Sequence, residues 1–408
     1  MQPAGRKALV RQDLPILFLA WLFPATYLLL APLYQSWPGP RFSSENWIGM
    51  VHTWDFLQSA WPLALLFAFI AGVACSSLQM IGKRGMLIAL SFCSVCVIVL
   101  GHFVPGRPGT AAFHLVLLMG LMAFSVYARQ AAQLGTGAGL CASALLASGP
   151  ETVPFAMIAI AWFAGEWVAG RGEHGASISR KTLCFGYSVA AGTTIIAVLS
   201  HPGWAVASFS CGPMSMAHLA PAVVAGLGLA YLARNTADFP TVRRRLGCIS
   251  FVALGALSGS LAANPTCLVS IFGALDGLWT QKFGLFALLA QDPRTAYVVL
   301  ATPVIGLSAA CVAALRRTSD GTERSSWVLM LGFLLSALLL MIFDVRLAVY
   351  ANALAIIPCA HFAVSVGAFM RKSRPTLVAA AVFFVVWLSG MNITHSFIGH
   401  SVLPGAGG

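Results

Sequence analysis

Carboxylates are scarce in this sequence, and their positions carry most of its chemical information. Only 12 of the 408 residues are Asp or Glu. A carboxylate can take a proton from an attacking hydroxyl group, and an arginine can bind phosphate through its planar guanidinium. Six acids fall in connections that the charge pattern, described below, assigns to one side of a membrane: Glu45, Asp55, Glu151, Asp276, Asp292 and Asp344. This side is where the sequence predicts a site.

Glu151 lies in a short segment that is rich in residues typical of helix ends. The segment reads Ser148-Gly149-Pro150-Glu151-Thr152-Val153-Pro154-Phe155. Pro150 suits the first turn of a helix, where its missing N–H costs nothing, and Glu151 in that turn is favoured by the helix dipole. Two interpretations stay open. Glu151 caps a tight hairpin, or it presents a carboxylate to a cavity at the outer leaflet.

Asp344 and Arg346 form a second candidate pair, two residues apart and between two apolar runs. A local ion pair that closes a hairpin is one interpretation. The other is that Arg346 binds a phosphate or pyrophosphate of a lipid headgroup. The histidines His114, His218 and His361 stand alone in apolar runs and are interpreted as core residues.

The composition indicates which kind of fold must position these residues. The chain is 59% hydrophobic and only 9% charged, against roughly 25% charged in a typical soluble domain. Its apolar runs match the roughly 20 residues that cross a bilayer as a helix. They are continuously apolar and not alternating, which excludes a β-barrel. The net charge of +12 fits the excess of Lys and Arg in cytoplasmic loops, so we predict no nucleic-acid partner.

The apolar runs predict an all-α polytopic membrane helical bundle of about thirteen (11–13) transmembrane helices. The predicted helices cover residues 14–32, 59–80, 86–104, 111–127, 135–149, 152–170, 182–200, 216–233, 246–263, 296–315, 327–343, 346–369 and 375–392. A short helix lying in the membrane interface is predicted over 278–286. Residues 1–392 are therefore predicted to form a single transmembrane domain, and residues 393–408 a disordered tail.

The basic residues divide unevenly between the two sides of these helices. The N-terminus and the alternate connections hold nineteen of the 24 Lys and Arg residues, and such a bias marks the cytoplasmic side. The other side holds Arg41, Arg107, Lys282, Arg294 and Arg346. We therefore predict a multi-pass protein of a bacterial inner membrane, with a cytoplasmic N-terminus and its acids mainly outside.

Several of these segments, taken in order, resemble a group of bacterial inner-membrane proteins that is similar in layout to the GT-C glycosyltransferases. Enzymes of that class take sugars from polyprenyl-linked donors. The resemblance covers roughly residues 50–370. One of the matching pieces is Ser148–Phe155, which is followed by an apolar helix that ends at Trp167. The further matching pieces are Cys211–Ser215, Ala263–Leu268 before an outer loop with Asp276, and Asp344–Leu354.

The sequence also departs from the pattern of that class. GT-C enzymes usually carry acids early in the first outer loop, where this chain reads Ala31–Pro38 without an acid. Where the related group has His-Trp-Ser-Arg, this chain has His52-Thr53-Trp54-Asp55. Arg107 is kept at the next outer turn, but the Asp-His-His that follows it in the group is absent. Cys211 is followed by Gly212, where the group has aspartate.

The resemblance implies a transferase that acts on lipid-linked sugars at the outer leaflet, with Asp55 or Glu151 as the catalytic base. The substrate-binding residues that it implies are Arg346, Arg107, His52 and Asp344. The partners would be the lipid bilayer and a polyprenyl-phosphate-linked sugar. No metal ligands are assigned, and the class leaves open whether a divalent metal is the cofactor. Two alternatives stay open: a non-catalytic relative that binds a lipid-linked glycan or assists an assembly partner, and a membrane transporter or flippase.

The cysteines offer one candidate cross-link. Eight of the 10 cysteines lie within or at the ends of predicted helices, where sulfur is apolar filling. Cys211 and Cys267 fall in outer connections, which in a bacterium face the oxidising periplasm. We predict a disulfide between them; the alternative is two reduced thiols that lie far apart.

Overall fold

The protein is described by a computed structural model that covers residues 17–18, 20–22, 24–26, 53–104, 110–170, 172–200, 216–263, 284–315 and 321–372. Every regular element in these ranges is a helix. Within a bilayer each backbone N–H and C=O must be paired inside the protein, and a helix achieves this within its own segment. The predicted all-α membrane bundle is confirmed.

Thirteen α-helices of four or more residues lie within the ranges 53–104, 110–170, 172–200, 216–263, 284–315 and 321–372. In chain order they are α1 (Thr53–Met80), α2 (Lys83–Val95), α3 (Val97–Leu100), α4 (Thr110–Tyr127), α5 (Leu134–Ser148), α6 (Val153–Ala169), α7 (Gly172–Ser200), α8 (Met216–Arg234), α9 (Val242–Ala263), α10 (Leu285–Gln291), α11 (Pro293–Leu315), α12 (Gly321–Phe343) and α13 (Ala348–Lys372). The helix α10 begins at Leu285, and residues 278–283 of the predicted interfacial segment lie outside the described residues.

Among the described residues, six helices contain a stretch that is long and apolar enough to cross a membrane: α1, α4, α7, α11, α12 and α13. The pair α2 and α3 makes a seventh if its bent halves form one span, and α5, α6 and most of α8 are apolar but shorter. The chain is thus a multi-pass membrane protein. The predicted helices 14–32 and 375–392 lie largely or wholly outside the described residues, so the total of about thirteen stays a prediction.

The predicted continuous helix over 86–104 is wrong, because the chain bends by 62° between α2 and α3. Cys96 lies at the break with φ −76° and ψ 84°, which is outside the helical region. The stretch from Met86 to Leu100 contains no proline or glycine. The usual residue signals of a helix break are therefore missing from this stretch.

The chain divides into two compact units, which are described separately. Unit 1 comprises Met1–Met119 and Phe283–Gly408, and unit 2 comprises Gly120–Lys282. In unit 1, α13 packs against α11, α2 and α12. In unit 2, α7 packs against both α5 and α8, and α9 packs against α8. The predicted single transmembrane domain over 1–392 stays a prediction, and the tail at 393–408 lies outside the described residues.

Glycines allow α7 to approach its neighbours at backbone distance. A Cβ atom placed on Gly186 would lie 2.5 Å from the carbonyl oxygen of Gly226, and one on Gly226 would lie 2.7 Å from that of Gly186. On the α5 side, a Cβ on Gly139 would lie 2.6 Å from the carbonyl oxygen of Phe185. Lipid gives no hydrophobic driving force between helices, so close approach of small residues supplies the attraction in its place.

The predicted topology leads to a direct test. We expect reporter fusions after residues near 83, 180, 244 and 372 to report from the cytoplasm, and fusions near 45 and 280 to report from outside, because positive charge is retained on the cytoplasmic side. The measurement is the activity of a reporter that works on one side only. Lys83 and Lys282 reporting from the same side would contradict the topology.

Candidate functional site

The candidate site in unit 1 is built on α11 and α13, which pack side by side and run in the same direction. The Asn352 side-chain N–H donates to the carbonyl oxygen of Val299 at 3.2 Å. Further along both helices, the Cys359 thiol lies 3.7 Å from the carbonyl oxygen of Thr302. Because α11, α12 and α13 are three successive helices that are each long enough to cross a membrane, α11 and α13 run in the same direction and begin at the same end of the unit. The predicted topology makes this the outer end.

An Asp-x-Arg sequence lies at the start of each helix. Asp292 directly precedes α11 and Arg294 lies in its first turn, whereas Asp344 caps the short 3-10 helix Val345–Leu347 that leads into α13. Asp292 Oδ1 accepts hydrogen bonds from the backbone N–H groups of Arg294 and Thr295, each at 3.2 Å, and its Oδ2 accepts one from the Thr295 hydroxyl at 2.5 Å. Asp344 Oδ1 accepts one from the backbone N–H of Arg346 at 2.9 Å. Each carboxylate thereby satisfies N–H groups that a helix start leaves without an intrahelical partner.

Asp344 and Arg346 also form an ion pair through their side chains. Arg346 Nε lies 3.0 Å from both carboxylate oxygens, and Nη2 lies 2.7 Å from Oδ2. The Arg346 side chain is 67% exposed and that of Asp344 is 16% exposed. The structure thus contains the local ion pair, which was one of the two interpretations of this sequence. Phosphate binding by Arg346 stays a prediction.

The two capping carboxylates are ionised at neutral pH. Hydrogen bonds from Thr295 lower the pKa of Asp292. Burial acts to raise the pKa of Asp344, but hydrogen bonds from Arg346 and its positive charge together outweigh burial and hold that pKa below its ordinary value. Each cap therefore carries one negative and one positive charge at the start of its helix.

Arg294 is a residue to which sequence reasoning assigned no role beyond its place on the outer side. Its Nε atom is buried and has no hydrogen-bond partner among the described residues. The signal that could have identified it is the repeated spacing Asp-x-Arg at 292–294 and 344–346. Because α11 and α13 pack side by side in the same direction, the two Asp-x-Arg sequences lie at the same end of unit 1.

A buried polar pair involves the first turn of α13, close in sequence to the Asp344–Arg346 ion pair. His114 Nδ1 lies 2.9 Å from the Tyr350 hydroxyl oxygen, and both residues are only 2% exposed. The contact joins the second turn of α4 to the first turn of α13. His114 is a core residue, as predicted, but the interpretation that it stands alone is wrong. Tyr350 lies 236 residues away in sequence, so no local pattern indicates the contact.

Replacing Tyr350 by phenylalanine is expected to destabilise unit 1 by about 1–2 kcal/mol, because it removes a buried partner of His114. The double variant H114L/Y350F is expected to recover part of this loss, since both polar groups are then replaced together. The measurement is the thermal unfolding midpoint of the purified proteins in one detergent. Equal midpoints for the wild type and Y350F would contradict the prediction.

In unit 2, Glu151 lies in the turn that joins α5 to α6. The helix α6 begins at Val153, with Thr152 at its N-cap and a proline in its first turn. The expectation that Pro150 and Glu151 occupy that first turn is therefore wrong. Pro154 takes the position, which tolerates its missing N–H equally well.

Thr152 makes this turn tight. Its buried hydroxyl donates to the carbonyl oxygens of Leu145 and Gly149. Glu151 is half-buried, and its carboxylate folds back over Gly149, where a Cβ atom would lie 2.6 Å from Oε2. This geometry favours the interpretation of Glu151 as a hairpin residue. Presentation of the carboxylate to an outer cavity stays a prediction.

The other predicted site residues fall where the structure gives no side-chain information. Arg107, His52, Cys211 and Cys267 lie outside the described residues. Asp55 lies on α1, in a stretch whose side chains are not described. The disulfide therefore stays a prediction. The eight other cysteines are free thiols, and seven of them lie within helices, as expected of apolar filling.

A buried ion cluster at the opposite end of α6 was not anticipated from the sequence. Glu166 accepts hydrogen bonds from Arg129 and Lys181, and the three side chains are 11%, 16% and 2% exposed, respectively. The Trp162 ring centroid lies 5.5 Å from Arg129 Cζ and 5.0 Å from Lys181 Nζ, at cation–π distance. The available signal was Trp162 and Glu166 four residues apart on one face of an apolar helix. Among the described residues, no group of three or more His, Cys, Asp or Glu side chains could hold a metal.

Comparisons with protein-family models and with curated proteins give no match. Comparison with solved structures shows a GT-C-like membrane fold. The chain is similar to the archaeal oligosaccharyltransferase AglB from Archaeoglobus fulgidus in complex with an inhibitory peptide and a dolichol-phosphate. The TM-score is 0.60 at 12% sequence identity over 93% of this chain.

Two further structures of the Archaeoglobus fulgidus oligosaccharyltransferase agree with this result. One is tethered to an acceptor peptide and has a TM-score of 0.56 at 13% identity over 85% of this chain. The other is a complex with Zn and sulfate and has a TM-score of 0.53 at 14% identity over 84% of this chain. The present chain spans 51%, 44% and 40% of the three matched chains, respectively. At these identities the likeness shows the fold alone.

Proposed function

We propose that this protein is a GT-C-like membrane transferase that binds the phosphate of a lipid-linked sugar at the predicted outer end of unit 1. The observation that carries the proposal is the pair of Asp-x-Arg caps at the starts of the parallel helices α11 and α13. Each cap brings an arginine to the same end of the unit, and the planar guanidinium of arginine favours phosphate. The dolichol-phosphate in the similar oligosaccharyltransferase supports a polyprenyl phosphate as the lipid part of the substrate.

The arginines would act on the leaving group of such a transfer. The bond between the sugar's anomeric carbon and the phosphate oxygen breaks while the acceptor oxygen bonds to that carbon. Negative charge then grows on the departing phosphate, and positive groups already in place stabilise it. Arg346 and Arg294 are the described candidates for this role, and Arg107 is a third from the sequence. Asp344 holds the Arg346 guanidinium in a fixed orientation through their paired hydrogen bonds.

The acceptor must also lose a proton, and a carboxylate is the natural group to take it. Glu151 and Asp55 are the proposed bases, and His52 belongs to the proposed substrate side. The role of a divalent metal stays open, and among the described residues no group of three or more His, Cys, Asp or Glu side chains could hold one. The proposed setting is a bacterial inner membrane, with the N-terminus in the cytoplasm and the reaction at the outer leaflet.

A second candidate function is binding of a lipid-linked glycan without transfer. Two observations favour it. The start of the first outer loop, Ala31–Pro38, lacks the acid that GT-C enzymes usually carry there, and the Glu151 carboxylate lies over its own hairpin. A protein that keeps its arginines and lacks a working base would still bind the phosphate. Such a protein would serve an assembly partner that carries out the chemistry.

The variants R346A and E151Q separate these functions. With the full chain reconstituted in liposomes with a polyprenyl-phosphate-linked sugar, R346A is expected to weaken donor binding about 10–100-fold, because it removes a charged phosphate contact. E151Q is expected to leave binding unchanged and to abolish transfer if Glu151 is the base. The matched control for R346A is R84A, which removes an exposed arginine from the predicted cytoplasmic end of the same unit.

Three outcomes are informative. Binding without transfer in the wild type would select the non-catalytic function. Poor accumulation of E151Q would identify Glu151 as a structural hairpin residue. Unchanged donor binding in R346A, with R84A behaving identically, would contradict the assignment of this end of unit 1 as the phosphate site.

A further inference from the structure

At the end of unit 2 that holds the ion cluster, the turn between α8 and α9 is fixed to the neighbouring helices. Trp167 Nε1 on α6 donates to the Thr236 hydroxyl at 2.9 Å, and the Ser179 hydroxyl on α7 lies 2.9 Å from the same oxygen. Arg245 on α9 donates to the carbonyl oxygens of Trp167 at 2.8 Å and Gly170 at 2.5 Å. Arg245 therefore belongs to the interior of this end, although the two residues before it are also arginines.

Around this fixed turn lies a rim of exposed arginines. Its members, which we call the arginine rim, are Arg180 on α7, Arg234 at the end of α8, and Arg243 and Arg244 on the first turn of α9; all four are exposed. The contact of Ser179 with Thr236 joins α7 to the turn after α8. The contacts of Arg245 join α9 to the end of α6. Among the side chains described at this end, the exposed acid is Asp238. The arginine rim is therefore strongly positive.

Apolar and aromatic side chains are exposed on the same helices, further from the end. Tyr231 on α8, one turn before Arg234, is 64% exposed, and Phe251 on α9, two turns beyond Arg244, is 79% exposed. Leu246 lies between Phe251 and the arginines of α9 and is also exposed. In a membrane protein such residues face lipid, and tyrosine concentrates at the level of the headgroups. The arginine rim thus lies where headgroup phosphates meet acyl chains.

We propose that the arginine rim is a binding surface for anionic phospholipids of the leaflet that it faces. A ligand that carries both a phosphate and acyl chains matches both parts of the surface, whereas a soluble phosphate would use only the arginines. The charge bias of the loops identifies this leaflet as the cytoplasmic one, whose anionic lipids attract basic segments. This binding surface belongs to unit 2 and does not depend on the proposed transfer.

The test uses the full chain purified in detergent and titrated with phosphatidylglycerol or phosphatidylcholine. Apparent affinity is read from lipid retention in native mass spectrometry and from the thermal unfolding midpoint. The wild type is expected to retain phosphatidylglycerol in preference to phosphatidylcholine. The variant R243Q/R244Q is expected to bind phosphatidylglycerol about 25-fold more weakly, at roughly fivefold per arginine near the headgroups.

The matched control is R84Q/R324Q, which removes the same charge from two exposed arginines of unit 1 that the topology places on the same side. It is expected to stay within about twofold of the wild type. The variant R243K/R244K keeps the charge, and it is expected to bind within about fivefold of the wild type. It therefore provides a test even if the glutamine variant accumulates poorly.

Four results would overturn the proposal. The first is an equal loss of phosphatidylglycerol affinity in R243Q/R244Q and R84Q/R324Q, and the second is equal retention of the two lipids by the wild type. The third is loss of phosphatidylglycerol binding in a folded R243K/R244K. The fourth is that inorganic phosphate without lipid raises the unfolding midpoint as much as phosphatidylglycerol does. The last result would identify a site for a free anion in place of a lipid headgroup.

Discussion

Replacement of Glu166 by glutamine is expected to destabilise unit 2 by about 3–5 kcal/mol, which is the usual cost of removing one partner from a buried ion pair. Glu166 is the carboxylate that Arg129 and Lys181 share, and all three side chains are less than one fifth exposed. Without it, two like charges face each other in surroundings that screen them poorly. The measurement is the thermal unfolding midpoint of the purified variant, supported by its level in the membrane.

The double variant E166Q/K181M provides the control. It removes one of the two cations together with the carboxylate, so the local net charge returns to that of the wild type. We expect it to be more stable than E166Q alone, with at least half of the lost midpoint recovered. An unfolding midpoint of E166Q equal to that of the wild type would show that solvent screens the charges of the ion cluster. The cluster would then contribute little to the stability of unit 2.

Replacement of Gly186 by valine is expected to prevent unit 2 from accumulating in folded form. A Cβ atom there would lie 2.5 Å from the carbonyl oxygen of Gly226 and 2.9 Å from the backbone nitrogen of Ala230. These are backbone atoms of α8, so no side-chain rotation can relieve the overlap. The valine would force α7 and α8 apart, and their packing contact would be lost along the whole interface. We expect the loss in folding free energy to exceed the roughly 1–3 kcal/mol that is typical of overpacking. The measurement is the fraction of monodisperse protein after detergent extraction.

Two glycines in the same unit serve as matched controls. Gly165 on α6 and Gly247 on α9 have no neighbouring atom within 4 Å of the position that a Cβ atom would occupy. We expect G165A and G247A to change stability by less than about 0.5 kcal/mol or to increase it, because alanine is the better helix former. Normal folding of G186V would show that α7 and α8 do not approach each other at backbone distance.

Much of the fold could be predicted from the sequence, because the bilayer limits the choice of structure. The backbone N–H and C=O groups of an apolar run that crosses hydrocarbon must be hydrogen-bonded within that run, which requires a helix. The apolar runs of the sequence therefore indicate directly where the helices lie. The prediction for α5, 135–149, differs from the observed Leu134–Ser148 by one residue at each end. The break at Cys96 could not be predicted, since its neighbours are as apolar as any helix interior and include no proline or glycine.

The candidate site could be predicted only where its parts are close in sequence. Asp344 and Arg346 are two residues apart, and their ion pair was among the interpretations of the sequence. The partners of Glu166 lie 37 and 15 residues away, and contacts of this kind depend on which helices pack together. The turn at Glu151 was misplaced for a local reason. Pro150 and Pro154 are both acceptable in a first helical turn, and the hydroxyl of Thr152 decides between them by closing the hairpin.

The short helices α5 and α6 have a mechanical consequence for the surrounding membrane. They contain 15 and 17 residues, which correspond to lengths of about 22 and 26 Å. An ordinary hydrocarbon core is about 30 Å thick. A hairpin with this mismatch draws the leaflets together around it or leaves its turn below the level of the headgroups. The thickness of the host membrane, and with it the length of its acyl chains, therefore acts directly on the depth of the turn that contains Glu151.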